Sequence, residues 1–108
     1  MIDTDAMKTR LERQLVELRG RQEHVGRDLA EPLNADSSEQ AVEVEDDEAL
    51  RGEAALIARE IASVSRALER IDGGIYGECV RCGSDIAPAR LEARPESALC
   101  IHCARGET

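Results

Sequence analysis

The feature that most constrains this chain is a pair of aliphatic seams that share one register. The first is Leu11, Leu15, Leu18, Val25 and Leu29, with polar Gln22 at the remaining heptad position; the second is Leu50, Ala54, Ile57, Ile61, Val64, Leu68 and Ile71. Spacings of three and four put each set on one face of an α-helix, as in a coiled-coil seam. Paired antiparallel, Leu29 with Leu50, Val25 with Ala54, Gln22 with Ile57, Leu18 with Ile61, Leu15 with Val64 and Leu11 with Leu68 all have residue numbers summing to 79. Six layers in one register predict a two-helix hairpin.

The first helix is expected to start near Thr4 or Asp5, either of which can cap it, and to run to about Leu29. Gly20 and Gly26 weaken its interior by roughly 1 kcal/mol each relative to Ala. The second is expected from about Glu48 to Asp72, stopping at Gly73-Gly74, where glycine tolerates the left-handed cap conformation. The register puts the apex at Glu39 and Gln40, and Pro32 with the Asn34 to Ser38 stretch predicts a helix break just before it.

Composition agrees with an extended helical element. Tyr76 is the only aromatic residue, Phe and Trp are absent, and 34% of residues are charged, which argues against an ordinary globular core. No run approaches the ~20 apolar residues of a membrane span, and the N-terminus lacks a hydrophobic signal core, so a cytoplasmic protein is expected.

The net charge of −9 has one location. From Asp28 to Glu48 there are nine acids and no Lys or Arg; the remaining 14 acids balance the 14 bases. The acid run therefore falls on the tip and upper shaft of the hairpin, near residues 34–47, on the order of 45 Å from Ile71 at ~1.5 Å per residue. A charge run is commonly a solvated face or a linker. Uncompensated acids at a hairpin apex suit a basic pore or a metal ion instead.

Beyond the hairpin, Cys79, Cys82, Cys100 and Cys103 form a Cys-x2-Cys-x17-Cys-x2-Cys pattern. Two intervening residues let one tight turn aim both sulfurs at a single ion, and four thiolates complete a tetrahedral zinc shell. With no open coordination position, one Zn²⁺ is expected in a structural role, folding a segment with almost no core of its own. Gly83 follows the first pair, where a residue lacking a side chain lets the turn close. A redox dithiol pair or another metal is the alternative. His102 could replace a lost ligand, although an exposed histidine without a role is the simpler reading, as it is for His24. Arg81, Arg90, Arg94 and Arg105 are offset by Glu78, Asp85, Glu92 and Glu96, leaving no basic patch for nucleic acid.

The fold expected is mainly α: an antiparallel two-helix coiled-coil hairpin over residues 1–74 and a small C-terminal C4 zinc-finger module over 75–108. The stretch "YGECVRCGSDIAPARLEARPESALCIHC", residues 76–103, closely resembles the zinc module of the DksA/TraR family, with its Tyr-Gly-x-Cys-x-x-Cys-Gly start, Ile, Arg-Leu-x-Ala-x-Pro and closing Cys-x-x-Cys. The hairpin agrees with that family in shape and length. The resemblance implies a transcription regulator, not an enzyme, that binds bacterial RNA polymerase, inserts its coiled coil into the secondary channel and does not bind DNA. It also implies a tip motif Asp-x-x-Asp-x-Ala, onto which "DSSEQA" falls: Asp36 matches the first acid, Ala41 the alanine, and Glu39 replaces the second Asp with a longer carboxylate.

Other departures carry expectations. Only ten residues precede Leu11 and five follow Cys103, fewer than in full-length members, so the resemblance does not carry over the family's docking strength. Of the family's basic guanosine tetraphosphate contacts, Arg94 is kept while two lysine positions fall on Ser63 and Ala104, which predicts weak or absent nucleotide dependence. A monomer is expected. The competing readings are a zinc-stabilised interaction adaptor unrelated to transcription, and a transcript-cleavage factor whose tip acids hold Mg²⁺.

Overall fold

The structure, a computed structural model, describes residues 3–30 and 37–106, and the side chains of 3–27 and 48–106. Two long helices, α1 (Thr4–Ala30) and α2 (Ser37–Asp72), are followed by two short ones, α3 (Pro88–Ala93) and α4 (Ile101–Ala104). The chain forms two compact units, Met1–Leu15 with Ala62–Thr108, and Val16–Ile61.

The residue that caps α1 is Asp3, one position before the two expected. Its Oδ1 accepts from the Ala6 N–H at 3.1 Å, which satisfies one of the donors left over at the helix start. α2 begins at Ser37, eleven positions before the predicted Glu48. The apolar seam ends at Leu50, so periodicity could not carry the helix further back. Residues 39–48 are nevertheless mostly Glu, Gln and Ala, good helix formers, and acids at a helix N-terminus interact favourably with its dipole. Pro32 and most of the Asn34 to Ser38 stretch, where the turn-forming residues predict a helix break, lie in 31–36, outside the described residues.

Within the first unit, Met7, Leu11, Val64 and Ala67 are buried, and Leu15, Leu68 and Ile71 are half-buried. Lys8 Nζ lies 3.6 Å from Asp72 Oδ1, joining the start of α1 to the end of α2 within one residue of the predicted antiparallel register. Within the second unit, Leu18, Val25 and Ile57 are buried, Leu50, Ala54 and Ile61 are half-buried, and Val25 and Glu53 line one small hollow, again close to that register. Gln22 is the exception. Its amide is exposed while Ile57, its expected partner, is fully buried: the polar group turns to water and leaves the apolar layer to its neighbours. Leu29 lies outside the described side chains.

α2 ends in a Schellman motif. Gly74 takes φ +75° and donates to Ile71 O at 3.1 Å, and Ile75 N–H reaches back to Arg70 O at 2.9 Å. Glycine is required there because an L side chain rarely adopts positive φ. The turn directs the chain away from the helix axis and into the cysteine-bearing segment.

Candidate metal centre

The two cysteine pairs ride on different local structures. Cys79 and Cys82 flank a tight turn in which Gly83 N–H donates to Cys79 O at 2.9 Å and Cys79 N–H to Ser84 O at 2.8 Å. Gly83 sits at φ +78°, the glycine requirement expected from its place in the sequence. The turn is closed by an isolated antiparallel bridge between Glu78 and Asp85. Cys100, by contrast, is the N-cap of α4, and Cys103 lies within that single helical turn, where Ala104 N–H donates to Cys100 O at 2.9 Å.

These turns bring all four sulfurs within 4.8 Å of one another, with Cys82 Sγ and Cys100 Sγ 3.7 Å apart. A tetrahedron with Zn–S distances of about 2.3 Å has S···S edges of about 3.8 Å, so the cluster has the size of a four-thiolate zinc shell. None of the four is in a disulfide. Among the described residues this is the only such group of His, Cys, Asp and Glu side chains. His102 and His24 are exposed and not part of it.

The thiols differ in their metal-free electrostatics. The backbone N–H of Cys100, with smaller help from those of Cys82 and Arg81, lowers Cys79 to about 6, and the Ser84 hydroxyl lowers Cys82. Burial pushes Cys103 up to about 12. A divalent cation resolves that conflict, because its charge stabilises all four thiolates together.

Around the sulfurs, Ile86 and Leu91 are buried, and Tyr76 and Leu99 pack against the cluster. Leu91 comes from α3, which starts with Pro88 at its first turn, where the missing N–H costs nothing. α3 was not foreseen, since six residues carry too little periodicity to register. Arg94 is mostly exposed, pairs with Glu96 Oε1 at 3.2 Å, and lines a cavity of about 1040 Å³ beside Cys82, Cys100 and Cys103. Ser63 is half-buried on α2 and Ala104 exposed on α4. Asp36 lies outside the described residues; Glu39 and Ala41 fall in the first turns of α2, with side chains outside the described set.

Sequence reasoning missed Arg70. It is buried in the last turn of α2, and its Nη2 donates to Glu96 O at 3.4 Å and Ser97 O at 3.3 Å. Its position off the predicted seam gave no apolar signal.

Residues 74–108 match the model described as Prokaryotic dksA/traR C4-type zinc finger, and residues 7–71 match DnaK suppressor protein-like, N-terminal domain. The chain belongs to the DksA/TraR family. Among solved structures it is similar to transcription factor DksA2 from Pseudomonas aeruginosa, with TM-score 0.84 and 30% identity over 95% of this chain and 81% of that one. It is also similar to the DnaK suppressor protein from Agrobacterium tumefaciens C58, with TM-score 0.70 and 31% identity over 98% and 95%. The RNA polymerase-binding transcription factor DksA of Escherichia coli K12 is 40% identical over 43 residues, 40% of this chain. That match spans 28% of the relative's length. The family assignment and the sulfur geometry together identify the four cysteines as a C4 site for one Zn²⁺. Among the described residues, no helix is long and apolar enough to cross a membrane.

Proposed function

We propose that this protein is a cytoplasmic transcription regulator that binds bacterial RNA polymerase directly. The observation that carries the reading is the likeness to DksA2, which extends over 95% of this chain and includes both the helices and the cysteine module. The hairpin, residues 1–74, enters the secondary channel, and its acidic segment acts near the active site through Asp36, Glu39 and Ala41. The module, 75–108, keeps its zinc in a purely structural role, because four thiolates leave no position for water or substrate. The protein works as a monomer, is not an enzyme and makes no direct contact with DNA. Of the family's basic contacts to guanosine tetraphosphate only Arg94 is kept, and it pairs with Glu96, so dependence on that nucleotide is weak or absent.

Site-specific crosslinking from position 39 in the zinc-loaded protein tests the docking. The expected product joins the tip to the catalytic subunits near the polymerase active site. Asp36→Asn and Glu39→Gln are expected to leave binding intact and abolish the effect on transcription. Absence of polymerase binding at micromolar concentration would discard the reading in favour of an interaction adaptor.

A further inference from the structure

The segment that leads into the second cysteine pair carries five consecutive carbonyls, each of which accepts from another part of the chain. Pro95 O accepts from the Tyr76 hydroxyl at 2.8 Å, Glu96 O and Ser97 O from Arg70, Ala98 O from Val80 N–H at 2.9 Å, and Leu99 O from Arg90 Nε at 3.0 Å. None of these bonds belongs to the regular backbone ladder of a helix or a sheet. Three of the five bonds come from two side chains at the foot of α2: Arg70 in its last turn and Tyr76 just past the Schellman turn.

Both donors are suited to a lasting contact. Arg70 is 8% exposed, and one guanidinium nitrogen, Nη2, reaches two neighbouring carbonyls at once. Burial raises the Tyr76 pKa, which keeps its hydroxyl protonated as a donor. The segment they hold runs directly into Cys100 and fixes where its sulfur meets Cys82. Neither residue is a metal ligand.

We propose that Arg70, assisted by Tyr76, is a positioning residue for the zinc centre and couples its occupancy to the order of the end of α2. The contacts already place 95–99 where the second cysteine pair must stand, so ordering cost is removed from metal binding. Coupling between two equilibria is reciprocal: bound zinc holds the segment, and the segment in turn holds Arg70 and the last turn of α2. Loss of zinc therefore loosens the foot of the helix as well as the cysteine turns.

The test uses the full chain and two readouts that need no polymerase. Competition with a chromophoric chelator is expected to show zinc affinity lowered roughly 10- to 100-fold in Arg70→Met, the range seen when partners that orient metal ligands are removed. Tyr76→Phe keeps the ring and removes one bond, and is expected to lower affinity by a smaller factor; it serves where Arg70→Met folds poorly. Amide exchange at residues 66–72 of the unaltered protein is expected to speed up on zinc removal. In Arg70→Met it is expected to be fast with or without zinc. Unchanged affinity in both variants would overturn the proposal, as would residues 66–72 whose exchange ignores zinc in the unaltered chain.

Discussion

The cysteine module and the helical segment Val16–Ile61 are held together by different physics. The segment relies on aliphatic burial, with Leu18, Val25 and Ile57 at its centre. Among the described residues the module has only two large buried aliphatic side chains, Ile86 and Leu91, with the cysteines and Pro95 making up the rest of its buried apolar set and Tyr76 and Leu99 packed against the cluster. Full burial of one such aliphatic contributes about 1.5–3 kcal/mol, far too little to offset the conformational entropy of ordering the module. Directional contacts take over there: paired carbonyls, glycines at positive φ and a four-sulfur metal shell. The contrast teaches that a chain with one aromatic residue can still build two kinds of order. Repetition supplies the first, and ligation with hydrogen bonding supplies the second.

The largest expected effect is metal removal. A structural zinc contributes on the order of 10 kcal/mol, so chelation is expected to abolish amide protection from Cys79 to Cys103 while most of the far-UV helical signal survives. Wholesale melting of α1 and α2 on chelation would break the comparison.

The seam should respond in the opposite way. Ile57→Ala removes a fully buried side chain and is expected to destabilise the helices by about 2–5 kcal/mol, read as a lowered Tm. Zinc affinity in the same variant is expected to stay unchanged.

Acid sharpens the distinction further. With Cys103 pushed up to about 12, the metal-free site holds a proton there at neutral pH, and zinc must displace it. Affinity is therefore expected to rise with pH, roughly tenfold per unit for each proton released, and to fall more steeply once Cys79, at about 6, is also protonated. Chelator competition across a pH series measures that slope, and a flat profile would contradict it.

Two glycines give the smallest and most discriminating effects. Gly83→Ala forces a side chain into φ +78° and is expected to cost about 1–2 kcal/mol, weakening zinc binding without changing the helical Tm. Gly20 sits mid-helix with nothing within 4 Å of where a Cβ would stand. Gly20→Ala is expected to raise the helical Tm through a gain of roughly 1 kcal/mol, with zinc binding untouched.

Much of this could be read from residue order, and the failures have physical causes. Leu11, Leu18, Val25, Ile57 and Val64 are buried where the seam spacing put them. Met7 is also buried, one turn before the seam was drawn, because spacing alone does not say where a partner helix ends. The start of α2 was missed because it rests on helix propensity and charge, not on an apolar face. The Cys-x2-Cys spacing identified the ligands, since a short loop between two sulfurs restricts them to one ion. It carried no information on the hydrogen bonds that bring the second pair to the first.

The sequence by itself determined the paired helices, the stop at Gly73-Gly74 and the identity of the four sulfurs. Each depends on spacing or on a local backbone requirement, and both are properties of neighbouring residues. Only the tertiary structure decided that Arg70 is buried, that five carbonyls from Pro95 to Leu99 find donors in other segments, and that the sulfurs lie within 4.8 Å. Those contacts join residues up to 27 positions apart. Their partners are selected by where the Schellman turn sends the chain, which no local pattern of side chains records.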